Sequence, residues 1–345
     1  MTIRTVIDKE KQYQLNAIER RIESFPKKIQ PFFVYLKTYE RTDTTILNYA
    51  KWLDAVRTRI GKDLLKITPI EFDNFVLNRP QDIQSSTFCS WMAALREFYR
   101  YAEAEKLIDT SPISKRHKFK RVKNMVECYL QFRHADPIMK ALKRREDYEQ
   151  KDARTYGSAK LEKCLMMSLA IRLLLDTGCR TDELLKIRSH DITEEKVELE
   201  DGTQKWVPFC KLNNAKTTSG SWQYRRLRIT SDTYDMFKAY IKLAPGRVKN
   251  GMWGLIRVKE KKTIRNWVKY LHKDLLDAGY TEIRKLAPHD FRRRYATQLH
   301  DRGFSDLTID CFLGHIPRTQ AQVYVTMSLN NVARVCGKAF GWDND

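Results

Sequence analysis

The chain has no long hydrophobic run. Its most apolar stretch, Cys164–Ile171, is stopped by Arg172, far short of the roughly 20 apolar residues that a membrane-spanning helix needs. The first residues, MTIRTVIDKEKQYQ, contain no apolar core of a secretory leader. No lipidation motif or long basic amphipathic helix is present either, so no membrane partner is expected. Seven cysteines, at 89, 128, 164, 179, 210, 311 and 336, stand singly, without a C-x-x-C pair or the Cys/His spacing of a zinc site. That scatter suits a reducing compartment, and a soluble cytoplasmic protein is expected. Internal repeats and low-complexity segments are lacking too.

Acidic residues are the other shortage. Against 43 Asp and Glu the 345 residues carry 64 Lys and Arg, a net charge of +21. So large a charge repels itself unless a polyanion neutralises it, which makes nucleic acid the leading partner. The hydrophobic share of 42%, with 11% aromatics, is that of a folded chain, and the length allows two domains.

Helical periodicity dominates the first part. In TDTTILNYAKWLDAVRTRIG, Ile46, Tyr49, Leu53, Val56 and Ile60 recur every three or four residues, and Gly61 supplies a stop. Thr68-Pro69-Ile70-Glu71 is a capping box with proline at the first helical position. Phe88, Trp91, Met92, Leu95, Phe98 and Tyr99 form one wide apolar face, and Phe32, Phe33, Tyr35 and Leu36 suggest a helix after Pro31. These predict a helical domain over residues 1–112.

The pattern breaks at DTSPISKRHKFKRVKN, where Lys115, Arg116, Lys118, Lys120, Arg121 and Lys123 crowd into nine residues. A basic linker over 113–132 that lies along a phosphate backbone is expected. Beyond it, over 133–345, a helix from Asp136-Pro137 to about Arg145 precedes a charged connection and an apolar helix ending at Gly178. From Lys196 to Ile229 the alternation becomes that of strands, turning at Asp201-Gly202 and Ser219-Gly220. Helical patterns then return. The fold class expected is mainly α, with one small antiparallel sheet in the second domain.

Three stretches could carry chemistry. In DTGCRTDELLKIRSHDI, Arg180 follows a Thr-Gly-Cys bend and Glu183 lies one turn on, on the same face. In APHDFRRRYATQLHDRG, Phe291, Tyr295 and Leu299 form a buried stripe, with His289 and Arg292 about 60° apart beside it. Three successive arginines cannot all face water, and one held at the core edge without an acidic partner suits a phosphate. In FLGHIPRTQAQVYVT, His315 follows a Leu-Gly turn and Tyr324 stands nine residues later.

Together these residues resemble the tyrosine recombinase (phage integrase) family. Its first box is similar to Thr177-Gly178-x-Arg180-x-x-Glu183-Leu184. Its second is similar to His289-x-x-Arg292, then Leu313-Gly314-His315, then Tyr324. Lys216, in NNAKTTSGSWQYRRLRI, best fits the family's hairpin lysine, with Lys211 as the alternative. Cys179, and Arg293-Arg294 after Arg292, depart from the commoner family residues without changing a catalytic identity. The resemblance covers roughly residues 30–335.

The resemblance implies a helical core-binding domain and a catalytic domain forming a C-shaped clamp on double-stranded DNA. It implies site-specific strand cleavage and rejoining through a 3′-phosphotyrosyl bond to Tyr324, for integration, excision or transposition. Arg180, Lys216, His289, Arg292 and His315 would be its catalytic partners and Glu183 a supporting residue. No metal, ATP or other cofactor is expected. A homotetramer on two duplexes is implied, with accessory proteins possible, and the tail bearing Val332, Val335 and Phe340 is expected to dock on a neighbour. The 15–25 residues before the helical domain are too few for a separate arm-binding domain, which suggests the simple two-domain type. The alternatives are a type IB topoisomerase, or a catalytically silent DNA-binding regulator of the same fold.

Overall fold

The computed structural model describes residues 16, 18–79, 83–114, 129–156, 159–198, 202–214, 224–244, 254–258, 261–315 and 328–342. Lys216, Tyr324 and the six basic residues from Lys115 to Lys123 lie outside them. The chain divides into two compact units, residues 1–125 and 126–345.

The first unit is built from helices α1 (Gln30–Thr38), α2 (Asp43–Ile60), α3 (Pro69–Leu77) and α4 (Ser85–Ala104). Local chemistry sets their ends. Thr42 accepts from Thr45 N–H to start α2, and Gly61, at φ +73°, closes it. Thr68 and Glu71 complete the capping box that opens α3 on Pro69. Phe32 and Phe33 of α1, Leu53 and Val56 of α2, Phe72 of α3 and Phe88, Leu95 and Phe98 of α4 are all buried in one core.

The second unit holds α5 (Ala135–Tyr156), α6 (Ala159–Thr177), α7 (Thr181–Leu184), strands β1 (Ile192–Glu198), β2 (Gln204–Asn213) and β3 (Tyr224–Arg228), then α8 (Ser231–Leu243), α9 (Lys261–Asp277), α10 (Pro288–Asp301), α11 (Asp306–Leu313) and α12 (Leu329–Phe340). Its core reaches back to Leu130, which is buried ahead of residue 133. Helix α6 is the axis. Residues Cys164 to Thr177 are buried without a break, as in a helix covered on every side. The sheet is antiparallel in the order β1-β2-β3. Its register sets Ile192 opposite Cys210, and Leu212 opposite Arg225.

Three expectations are corrected. Helix α5 does not stop near Arg145 but continues to Tyr156. The charged run reads as a connection by its polarity, yet Glu146 is buried against Arg172 (3.1 Å), Arg145 pairs with Asp274, and Lys143 with Asp147 (3.0 Å). Strand β1 starts at Ile192, four residues before Lys196. The C-terminal tail, expected on a neighbouring protomer, packs on its own domain. Val332, Val335 and Phe340 of α12 are buried in the second unit's core, Gln298 donates to the Ala339 carbonyl (2.7 Å), and Phe340 stacks on Tyr295. The apolar face that called for a cover is thus already covered.

Gly178 ends α6 at φ +55°, and a Cβ there would lie 2.7 Å from Tyr295 Cβ. Left-handed backbone costs a side chain about 1–2 kcal/mol, and crowding a packed core about 1–3 kcal/mol more. Gly178→Ala is therefore expected to destabilise the chain by at least about 2 kcal/mol in urea unfolding. Gly61→Ala, left-handed but with nothing within 4 Å of its Cβ, should lose less. Equal losses would contradict the close approach.

Candidate active site

Four segments far apart in sequence meet at the end of α6. The first is the turn after it. Arg180 sits at the N-cap of α7, and Glu183, at the third position, reaches back to accept from the Arg180 backbone N–H (2.9 Å). The same carboxylate accepts from Arg180 Nη1 (2.8 Å). Read alone, Arg180 and Glu183 would be a surface pair; in the fold Glu183 has no exposed side-chain surface and Arg180 keeps 23% of its own.

The second is α10. Pro288 starts it, Asp290 accepts from Ala287 N–H (2.8 Å), and Phe291, Tyr295 and Leu299 face the core. Of the three arginines, Arg293 pairs with Asp290 (2.8 Å), whereas Arg292 and Arg294 are both buried. Among the described residues Arg292 has no carboxylate partner. Its Nη1 donates to the Gly178 carbonyl (3.2 Å) and its Nη2 to the Leu313 carbonyl (2.6 Å).

The third is the end of α11. Gly314, at φ +62°, closes the helix, and the His315 N–H donates to the Asp310 carbonyl (3.0 Å). Nδ1 of His315 meets the Asp310 carboxylate at 2.5 Å. A carboxylate only accepts, so Nδ1 carries the proton and the ring's orientation is fixed. The Leu313 carbonyl also receives Arg180 Nη1 (3.5 Å). Arg180 and Arg292 thus converge on one carbonyl, two residues from His315.

The fourth is the sheet. Arg225, its side chain 8% exposed, donates through Nη2 to Glu183 (2.8 Å) and through Nε to the Phe312 carbonyl (2.7 Å). Its Nη1 bonds Asn214. Sequence reasoning missed Arg225, Asn214 and Asp310. The signal for Arg225 was there, since alternation along β3 puts it on the face of buried Leu227.

Charge completes the picture. Burial pushes Glu183 up, but Arg225 and Arg180 more than offset this and hold it at about 2. Arg292 is brought down to about 10, first by burial and then by the positive charge of Arg180 and Arg225. The guanidiniums of Arg180, Arg225 and Arg292 therefore gather around the one carboxylate of Glu183, an arrangement that attracts an anion. His289 keeps an exposed face, and its pKa is lowered, first by partial loss of solvent around the ring and then by Arg293 and Arg292.

Lys211 lies elsewhere. It is opposite Arg226 in the register, on the other face of the sheet from Arg225, with Nζ over the Tyr224 ring at 4.4 Å. Among the described residues no group of three His, Cys, Asp or Glu side chains could hold a metal ion, and no helix is long and apolar enough to cross a membrane.

The sequence profile of the phage integrase family matches residues 129–330. The chain belongs to the phage integrase family and is a tyrosine recombinase. It is similar to the tyrosine recombinase XerC of Leptospira interrogans, 22% identical over 340 residues that cover 95% of this chain and 97% of that one. Among solved structures it resembles a lambda integrase dimer bound to a COC′ core site, with TM-score 0.57, 16% identity and coverage of 87% of this chain and 79% of that one. A further likeness, with TM-score 0.54 and 13% identity, is to the Tn1549 transposon integrase in complex with a circular intermediate DNA, covering 88% of this chain and 96% of that one. At these identities the structures speak for the fold.

Because partial loss of solvent and the neighbouring arginines disfavour the imidazolium, His289 should titrate below the usual 6.5. The neutral ring is the form the fold favours, so the stability it contributes is present above about 6.5 and lost as pH falls through the lowered value. Ring-proton NMR of the free protein should give that lower midpoint, and Arg293→Gln should raise it. A midpoint at or above 6.5 would contradict the field inferred here.

Proposed function

We propose that this chain cuts and rejoins double-stranded DNA at specific sites through a 3′-phosphotyrosyl bond to Tyr324. The observation that carries the reading is the convergence of Arg180 and Arg292, from separate elements, on the Leu313 carbonyl beside His315. A scissile phosphate placed there meets two guanidiniums at its non-bridging oxygens, where charge gathers in the transition state. The family's order of residues and the DNA complexes of the structures it resembles support the same placement.

Each residue then has one task. Tyr324 attacks phosphorus; free tyrosine has a pKa of about 10, and the surrounding cations favour its phenolate. Arg180 and Arg292 hold the phosphate. His315, oriented by Asp310, donates from Nε2 in its protonated form. Neutral His289 assists proton transfer, and the departing 5′-oxygen takes its proton from Lys216. Lys216 is preferred to Lys211 because the latter's face of the sheet is turned from Arg225. Glu183 stays ionised and orients the two arginines that touch it. The phosphotyrosyl bond conserves the energy of the broken phosphodiester, so rejoining by the 5′-hydroxyl requires neither ATP nor, with guanidiniums stabilising the charge, a metal ion.

Residues 1–112 would form a core-type DNA-binding domain and 133–345 the catalytic domain, both on one duplex. Lys115, Arg116, Lys118, Lys120, Arg121 and Lys123 would follow its phosphates between them. A homotetramer joining two duplexes would exchange strands to integrate, excise or transpose a DNA element.

Wild-type protein and Tyr324→Phe, each incubated with a library of random duplexes and then denatured, should differ in one respect. Only the wild type should retain covalently attached DNA, linked through a 3′ end. Arg180→Ala or Arg292→Ala should lower the yield rate by about 10²–10³-fold, or roughly 2.7–4 kcal/mol of barrier. Retention of DNA by Tyr324→Phe would contradict the assignment of the nucleophile. No attached DNA with either the library or the element's own flanking sequence would favour a silent regulator.

A further inference from the structure

Arg225 lies outside the two boxes described above, yet its hydrogen bonds tie them together. Its three nitrogens reach three different elements: Glu183 of α7 (2.8 Å), the Phe312 carbonyl at the end of α11 (2.7 Å), and Asn214 after β2. Each of these lies next to a proposed site residue. Glu183 also holds Arg180 through its other oxygen. Phe312 precedes Leu313, whose carbonyl receives Arg292 (2.6 Å), and His315 follows two residues on. Asn214 follows the end of β2 and precedes Lys216 by two residues in the sequence.

The turn at 312–315 is shaped around this guanidinium. A Cβ on Gly314 would meet both Arg225 Nη1 and Asn214 Oδ1, so a side chain there would have to push this pair aside. The Gly314 and His315 N–H groups donate to the Cys311 and Asp310 carbonyls (3.1 and 3.0 Å). The His315 ring is therefore carried on a turn whose position is set by the sheet. With a side chain only 8% exposed and its nitrogens directed at protein acceptors, Arg225 is not placed to bind the phosphate.

We infer that Arg225 is a positioning residue for strand transfer, a three-way clasp that locks the Leu313-Gly314-His315 turn of α11 onto the Arg180–Glu183 box; this rests on the strand-transfer reading above. The planar guanidinium is required for it. An ammonium at the same place would keep the charge and lose the three fixed directions, so lysine is not a conservative replacement here.

The test uses the full chain as Arg225→Gln, Arg225→Lys and Asn214→Ala, with two readouts. Hydrogen exchange on the free protein needs no DNA. Arg225→Gln and Arg225→Lys should speed exchange in the peptide spanning 311–315 by about tenfold or more beyond any change seen in α6. Cleavage is then followed at saturating duplex, using a sequence recovered from wild-type adducts. Displacing a reacting group by about 1 Å can cost about 10²-fold. Arg225→Gln should lose about that much in rate while its duplex affinity stays within about threefold of wild type, and Arg225→Lys should recover little of it. A general loss of structure would instead open α6 and lower affinity together. Should Arg225→Gln fail to fold, Asn214→Ala, which removes one acceptor, should show the same pattern more weakly.

Unchanged exchange at 311–315 would overturn the clasp, as would full rescue by Arg225→Lys or cleavage by Arg225→Gln at the wild-type rate. If exchange changes as expected but the wild type forms no adduct on any duplex, the clasp stands and the strand-transfer reading falls.

Discussion

Glu183 has no exposed side-chain surface and yet carries a full negative charge, held between Arg180 and Arg225. An isolated buried carboxylate would take up a proton. Here burial is outweighed, and the group stays ionised down to about pH 2. Much of the second unit's arrangement depends on this pairing. The carboxylate joins the end of α6 to β3, and through Arg225 the sheet reaches α11. A buried ion pair is weak support for stability in general, but removing one partner leaves a stranded charge, with a cost of about 3–5 kcal/mol. The pairing matters chiefly because it fixes where the remaining positive charge is.

That charge has a direction. Arg292, drawn down to about 10 by burial and by its two arginine neighbours, remains protonated at neutral pH and donates to the carbonyls of Gly178 and Leu313. Carbonyl oxygens orient a guanidinium without neutralising it. The chain therefore holds a preorganised positive site at the expense of some electrostatic repulsion, which a phosphate relieves on binding. The same logic extends to the whole molecule, whose +21 charge is tolerable beside a polyanion.

Much of this was legible in the sequence, and the exceptions have physical reasons. That Arg180 sits with Glu183, and His289 beside Arg292, could be read because short-range spacing fixes which residues share a turn or a helix face, whereas His315 was placed with them by the family resemblance. Alternation along β3 put Arg225 on the face of Leu227 but did not say what it would reach there. WQYRRLRI offers three arginines on two faces, Arg228 is buried as well as Arg225, and only the tertiary contacts decide that Arg225 is the one that reaches Glu183. Helix α5 was read too short because its second half is charged, although Arg, Glu, Lys and Gln favour helix and here find partners on α6 and α9. The amphipathic stripe of α12 showed that something covers it. Whether the cover comes from the same chain or another is a tertiary fact, and the stacking of Phe340 on Tyr295 is what decides it.

The measurement that reaches the centre of this picture is cleavage of a duplex in which the scissile phosphate is replaced by an uncharged methylphosphonate, comparing wild type with Arg292→Ala. If the guanidinium acts by stabilising negative charge on the non-bridging oxygens, removing that charge removes the need for it. The penalty of about 10²–10³-fold on the ordinary phosphodiester should then shrink to within about tenfold on the neutral analogue. An equal penalty on both substrates would contradict the assignment of Arg292 to the phosphate and leave it a structural role alone.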